Sequence, residues 1–426
     1  MFKINMIMLV CICALLHTGC EQKELLVTDG IRKEYYLTGE VHLETTYQKN
    51  QREGLSKEYE RTGELKSECM YHQDNRNGPY KEYYKSGKLK GEGFYKDDQL
   101  NGEFKMYYEA GGLAALTQYH DGVLNGPFEE YYEDGKLKSK GAYVVGKRQG
   151  EFIEQFGSGA MKSIAFFQDD LNEGESREYY ETGQIMKTAF YKDGQQEGIS
   201  REFYEDGSLM LLDSYLNGKR HGAYKKYSRN GLPITLSHYL HGQRHGLTIN
   251  YDEQGRWERQ ESFRNDKLDG VVKEYYPSGK VKRREFYLKG LKTGKARTFY
   301  ASGTPKGVGS YRYDRLYGKS VLFYPDGGQV RLEANLVDEQ LDGLCQEFYE
   351  DGKIYKITNY KNNRKDGQEI EYFRDGKILR EIVYKSGQII SKKQFDEKGN
   401  RISGDNGLSN RLPAPDPNRS QQARPQ

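Results

Sequence analysis

NGPYKEYYKSGKLKGEGFYKDDQLNG (77–102) opens and closes on the same Asn-Gly and holds four tyrosines between, Tyr80, Tyr83, Tyr84 and Tyr95. The spacing extends in both directions. Glycines 30, 54, 78, 102, 126, 150, 174, 198, 222, 246, 270, 294 and 318 fall 24 residues apart; Gly343 follows after 25 and Gly367 after 24. Removing Gly328 restores the register of Val330 and Leu336, which assigns the extra residue to that point. The chain is therefore read as 15 units with a degenerate sixteenth around FDEKGN (395–400).

With the first glycine of each unit as position 0, position +9 is Gly in all 15 units, from Gly39 to Gly376. Position +5 is aromatic except at Gln155, and +17 is aromatic except in the unit with the insertion. Position +11 is mostly Leu, Ile or Val, as in Leu65, Leu89, Leu137, Ile185 and Ile378. A type I turn closed by a left-handed Gly makes a three-residue hairpin loop. A loop at +7 to +9 pairs +6 with +10 and +5 with +11. Alternation along each strand then predicts that +3, +5, +11, +13, +15 and +17 share a core face. Small residues at +15 (Cys69, Gly93, Thr117, Gly141, Ala165) leave room for rings. One hairpin cannot bury its own apolar face, so the units must stack. The expected fold is all-β, an elongated meander of about 15 stacked 24-residue β-hairpins forming a long twisted sheet, spanning residues 30–402.

Composition agrees with a thin core. The 426 residues include 49 Gly and 37 Tyr but are only 35% hydrophobic, and the net charge is +3 with the signs interleaved. That charge pattern is not the one-sided basic footprint of a nucleic-acid binder, and no nucleic-acid partner is expected.

The ends read differently. Lys3, an apolar run over 6–16 and small residues before Cys20 form a secretory leader over 1–19, too short to span a bilayer as a helix. Thr18-Gly19-Cys20 resembles a bacterial lipobox, with His17 where Leu is usual and Leu16 one place early. The resemblance implies lipidation of Cys20, a linker over 20–29, and a location in the bacterial cell envelope, lipid-anchored and facing the periplasm or exterior. Residues 403–426 are polar and rich in Pro, and are expected to be a disordered tail. Cys69 and Cys345 lie about eleven units apart, ~100 Å at the spacing of strands, so they are not expected to pair.

Tyr-Tyr-x-x-Gly-x-Leu-x-x-x-x-x-Tyr, as in 83–95, resembles the bacterial MORN-variant repeat. That family includes many predicted lipoproteins and YwqK-type antitoxins. The resemblance implies a repeat scaffold, with toxin neutralisation as the alternative activity. The Tyr-x-Gly-x-x-x-x-Gly core of eukaryotic MORN repeats is not reproduced, and a phosphoinositide-binding role is not carried over.

No GxSxG, HExxH or P-loop sequence is present, and the protein is not expected to be an enzyme or to use a cofactor. Glu at +4 (Glu82, Glu130, Glu178, Glu202, Glu274) recurs with the repeat and is placed on the face opposite the core, as a solvated partner for Lys. His221, His238, His241 and His245 cluster, but His221 and His245 share offset +23 with polar turn residues of other units, and no metal site is assigned. Pro233 and Trp257 at +11, with Ser228 and Asp252 at +6, mark an irregular region read as a kink rather than a site. The candidate interaction surface is the second aromatic, at +6. Tyr84, Tyr108, Tyr132, Tyr180, Tyr204, Tyr276, Tyr300 and Tyr324 are expected to form a stripe facing away from the core, toward a protein partner or a cell-envelope component.

Overall fold

The computed structural model describes residues 29–326 and 328–403. The expected leader over 1–19, Cys20 and the residues after Ser403 lie outside them. Among the described residues there is no helix, and 39 strands pair antiparallel in hairpins. The chain divides into two compact units, Met1–Lys147 and Arg148–Gln426. Each is an open meander in which consecutive strands hydrogen-bond to one another.

The hairpin loop has the expected register. Tyr83 pairs with Leu89, and the Tyr84 N–H donates to the Lys88 carbonyl at 2.8 Å. Gly87 closes the loop at φ 78°, with its N–H on the Tyr84 carbonyl. In the unit with the extra residue, Phe323 pairs with Val330 and the Tyr324 N–H reaches the Gln329 carbonyl, so the insertion lies inside the loop. The sixteenth unit is present in part, with Phe395 pairing Arg401.

A second turn links the units and has its own signature. Positions +19 and +20 both take positive φ, as at Asp97 (49°) and Asp98 (65°) or Asp169 (50°) and Asp170 (69°). Two such residues define a two-residue hairpin turn of type I′, which favours Asn, Asp and Gly. The position-0 glycine lies just beyond it, where the register shifts by two residues between Tyr71–Arg76 and Cys69–Tyr80, at φ 131° for Gly78. A Cβ on Gly78 would come within 2.7 Å of the Met70 Cβ. Both recurrent glycines therefore satisfy backbone conformations that other L-residues resist.

The face assignment needs correction. Glu82 pairs with Gly91 but Tyr83 pairs with Leu89, so position +12 is a bulge and the alternation changes phase there. The buried residues fall at +2 and +15, as in Ser56 with Cys69, Val272 with Glu285 and Ser320 with Ala334, and at +17, as in Phe263. Rings at +2 and +17 meet edge to face, with centroids 5.4 Å apart for Tyr80 and Tyr95 and 5.7 Å for Phe128 and Tyr143. The packed face thus holds +2, +4, +12, +13, +15 and +17. Positions +3, +5 and +11 lie on the opposite face, where Tyr83 donates to Glu68 and Tyr107 to Glu92, both acceptors at +14. Small residues at +15 do make room for rings, but for those at +2: a Cβ on Gly93 would meet Phe104 at 2.6 Å.

Glu at +4 is corrected for the same reason. It lies on the packed face, half-buried, and pairs with +12 or +13: Glu82 with Lys90, Glu130 with Ser139, Glu274 with Lys282 and Arg283. The ladder is continuous through the irregular region. Tyr227 pairs with Pro233 and Tyr251 with Trp257, in the register of the regular units.

Candidate functional site

Four surfaces follow from this geometry: two turn edges and two faces. At the hairpin-loop edge stand the +6 tyrosines. The ladder between neighbouring hairpins stops at +4, as in Gly91 with Met106, and leaves the +5 carbonyl of the next unit without a backbone donor. The +6 hydroxyl of the preceding unit supplies one. Tyr84 donates to the Tyr107 carbonyl (2.7 Å), Tyr108 to Tyr131 (2.6 Å), Tyr180 to Phe203 (2.8 Å) and Tyr204 to Tyr227 (3.0 Å). Tyr276, Tyr300 and Tyr324 repeat the contact with Phe299, Phe323 and Phe348, and Tyr132 is engaged as well. All eight rings are half-buried. Seven of the eight tyrosines of the expected stripe thus act as stitches between successive hairpins, each of those hydroxyls taken by a carbonyl that needs it.

The opposite edge is also stitched. Asp at +20 accepts the N–H of +22 one unit earlier, as Asp98 does from Arg76 at 2.9 Å and Asp170 from Arg148 at 2.9 Å. The +20 N–H donates back to the same residue's carbonyl, as Asp98 does to Arg76 and, where +20 is Gly, Gly122 does to Leu100. The +22 side chain then covers the +17 ring: the Arg76 guanidinium lies 4.1 Å from the Tyr95 centroid and Arg148 3.8 Å from that of Phe167. Position +23 caps the next turn, with Glu53 accepting the Gln73 N–H and Glu173 that of Asp193. His221 and His245 occupy this capping position, and the His221 ring meets that of His241 edge to face, with centroids 5.0 Å apart. Among the described residues no cluster of three or more His, Cys, Asp or Glu has a metal-binding arrangement. These interactions were missed at the sequence level, although Asp, Asn or Gly recurring at +20 was their visible signal.

The packed face carries the buried chemistry. Burial pushes the Cys69 thiol up to about 11 and, with Glu347 nearby, Cys345 to about 12; both are free. Burial opposes ionisation of Glu369, but the hydrogen bond from Lys365, the charge of Lys356 and the Thr358 hydroxyl outweigh it and hold the carboxyl below the usual range. On the packed face Glu369 is thus held in a network with Lys356, Lys365 and Thr358.

The other face is open. Positions +1, +3, +5, +11, +14 and +16 line it, and large apolar side chains stand in solvent there: Phe190 is 46% exposed, Leu247 50%, Phe286 40% and Trp257 50%. Trp257 leans on Tyr275 at 5.6 Å.

A chain of tandem antiparallel hairpins, stitched at both turn edges and bare on one face, is a β-hairpin repeat protein. The particular family is also clear: the chain belongs to the MORN repeat variant family, whose profile matches residues 28–49, 52–73, 76–97, 100–121, 124–144, 172–193, 196–217, 268–289, 341–362 and 365–386, just over half of the sequence. The intervening units fold as the same hairpins, as Gly246–Tyr251 with Trp257–Arg264 shows. No curated protein matches the chain. Among solved structures it aligns to a TcdB2-TccC3-TEV crystal structure (14% identity, TM-score 0.14, 88% of this chain and 20% of that one) and to TcdB2-TccC3 (10%, 0.15, 88% and 27%). It also aligns to the Photorhabdus luminescens Tc holotoxin pore with the TccC3 D651A mutation (10%, 0.12, 89% and 24%). The chain spans about a quarter of those proteins, and these alignments carry no functional argument.

Proposed function

We propose that this protein is a non-catalytic interaction scaffold, held at the bacterial cell envelope by a lipid on Cys20 and facing the periplasm or exterior. The observation that carries the scaffold reading is the open face, where Phe190, Leu247, Phe286 and Trp257 remain exposed on a sheet whose other face packs its rings and charge pairs. Apolar side chains of this size on an ordered sheet favour contact with a partner. The apolar run at 6–16 and Thr18-Gly19-Cys20 support the anchor. Labelling the native host with an alkyne palmitate analogue tests it: wild-type protein is labelled and sediments with membranes, and Cys20→Ala is unlabelled. A soluble, unlabelled wild-type protein overturns the anchor. Affinity capture of the envelope with full-length protein and with a Phe190→Ser/Leu247→Ser/Phe286→Ser variant tests the scaffold. Loss of one specific companion with the variant supports the reading, and an identical set of companions overturns it.

A further inference from the structure

The open face is not uniformly charged. Over residues 30–147 it carries five lysines (Lys33, Lys57, Lys81, Lys105, Lys140) against five glutamates (Glu44, Glu68, Glu92, Glu103, Glu129), and the charges cancel. Over residues 174–317 the same six positions carry seven cations, Arg177, Arg201, Lys225, Lys273, Arg284, Lys295 and Arg297, against one acid, Glu175. That acid is paired with Arg177 at 2.7 Å.

Six of the seven cations fall in a single file across the strands. Position +3 pairs with +14 in its own hairpin, and +14 pairs with +3 of the next. The file runs Arg177, Thr188, Arg201, Leu212, Lys225, Leu236, Ile249, Gln260, Lys273, Arg284, Arg297 through successive partners. Its last three members are all cationic. Lys273 is the direct cross-strand partner of Arg284, and Arg284 of Arg297. Like charges directly opposite one another destabilise a sheet. Among the described residues no carboxylate lies within ion-pair distance of these three; Glu274 and Glu285, their sequence neighbours, point to the packed face and pair with Lys282, Arg283 and Lys292. The fold thus leaves this row of like charges without a compensating carboxylate.

We propose that Lys273, Arg284 and Arg297 form the centre of a docking site for an extended acidic polypeptide segment, lying along the file. This rests on the scaffold reading and names its partner chemistry. Carboxylates on the partner would neutralise a row that the protein leaves unneutralised. A file one residue wide suits a chain rather than a bilayer plane. The exposed Phe286 and Leu247 and the neighbouring Val271 on the same face suit the mixed side chains of a polypeptide better than the uniform charge of a nucleic acid. The carboxy-terminal segment 404–426 is not the occupant, because its Asp405 and Asp416 are outnumbered by Arg411, Arg419 and Arg424.

The test uses full-length protein and a fluorescent dodecaglutamate peptide, with dodecalysine as control and dT12 and phosphatidylglycerol vesicles as competing probes. The expected result is salt-sensitive binding of dodecaglutamate, weakened about tenfold or more by Lys273→Glu/Arg284→Glu/Arg297→Glu. Because the triple variant perturbs two adjacent hairpins, Arg284→Gln is measured alongside it. Removing the middle cation is expected to raise the melting temperature while weakening peptide binding. No binding of dodecaglutamate, unchanged binding by the triple variant, or a lowered melting temperature in Arg284→Gln overturns the site. Tighter binding of dT12 or of the vesicles through the same three residues overturns the polypeptide assignment. An envelope companion retained by the triple variant overturns the site and leaves the scaffold reading standing.

Discussion

The hydroxyl of Tyr108 lies 2.6 Å from the carbonyl oxygen of Tyr131, one repeat further along the chain. The contact recurs at the same offset from Tyr36 and Tyr59 to Tyr349 and Tyr372. It supplies the donor that the backbone ladder lacks where it stops beside the bulge. Replacing Tyr108 by Phe keeps the ring and removes only that donor. The expected loss is about 1 kcal/mol, seen as a shift of the urea midpoint. Since each repeat is stabilised mainly by its neighbours, Phe substitutions in adjacent repeats should add. An unchanged midpoint in a variant with Tyr84, Tyr108 and Tyr132 all replaced by Phe would show the hydroxyls to be dispensable for folding.

The two recurrent glycines should differ in tolerance. Gly87 has φ 78° and a methyl added there would stand in open space, so Gly87→Ala is expected to cost about 1 kcal/mol. Gly78 has φ 131° and would press a Cβ against Met70 at 2.7 Å, so Gly78→Ala should cost about 2 kcal/mol or more. Equilibrium unfolding of the two variants under one condition gives the order directly.

The last repeats should be sensitive to acid and to strong base. Glu369 is held below its ordinary value of 4.5, so its contribution to stability is full above that value and is lost as pH falls through the lowered one. Burial acts to lower Lys356, but Glu369, Glu347 and Glu371 raise it above 10.5, so its contribution is full below that value and is lost as pH rises through the raised one. Glu369→Gln is expected to destabilise the protein at about pH 7 and to approach wild type in acid, once the wild-type carboxyl is protonated. Urea midpoints from acid to strong base check both limbs.

Cys69 and Cys345 should be inert in the folded state. Both thiols are buried and raised to about 11 and about 12, leaving little thiolate at about pH 8. Iodoacetamide is expected to leave both unmodified in native protein and to alkylate both in urea, as read by peptide mapping. Rapid native alkylation of either would contradict its packing.

Much of the hairpin was legible in the residues themselves. Asp-Gly and Ser-Gly before +10, rings at +5 and Leu at +11 specify a three-residue loop by local backbone chemistry alone, and Tyr83 does pair with Leu89. The candidate surfaces were less legible. The +6 tyrosines stood out as a pattern, but a sequence does not say that the carbonyl one repeat away lacks a donor. The cationic file was hidden in a net charge of +3, because Lys273, Arg284 and Arg297 are separated by intervening Glu274 and Glu285 and meet only across strands.

Sequence by itself determined the 24-residue period, the positive-φ glycines and the hairpin register, since each follows from interactions within one repeat. Only the tertiary structure decided which residues share a face. A single bulge at +12 shifts the alternation by one residue, moving Tyr83 and Lys81 to the open face and Glu82 to the packed one. Strand parity is cumulative, so one unpaired residue re-sorts every side chain that a strict two-residue period would assign.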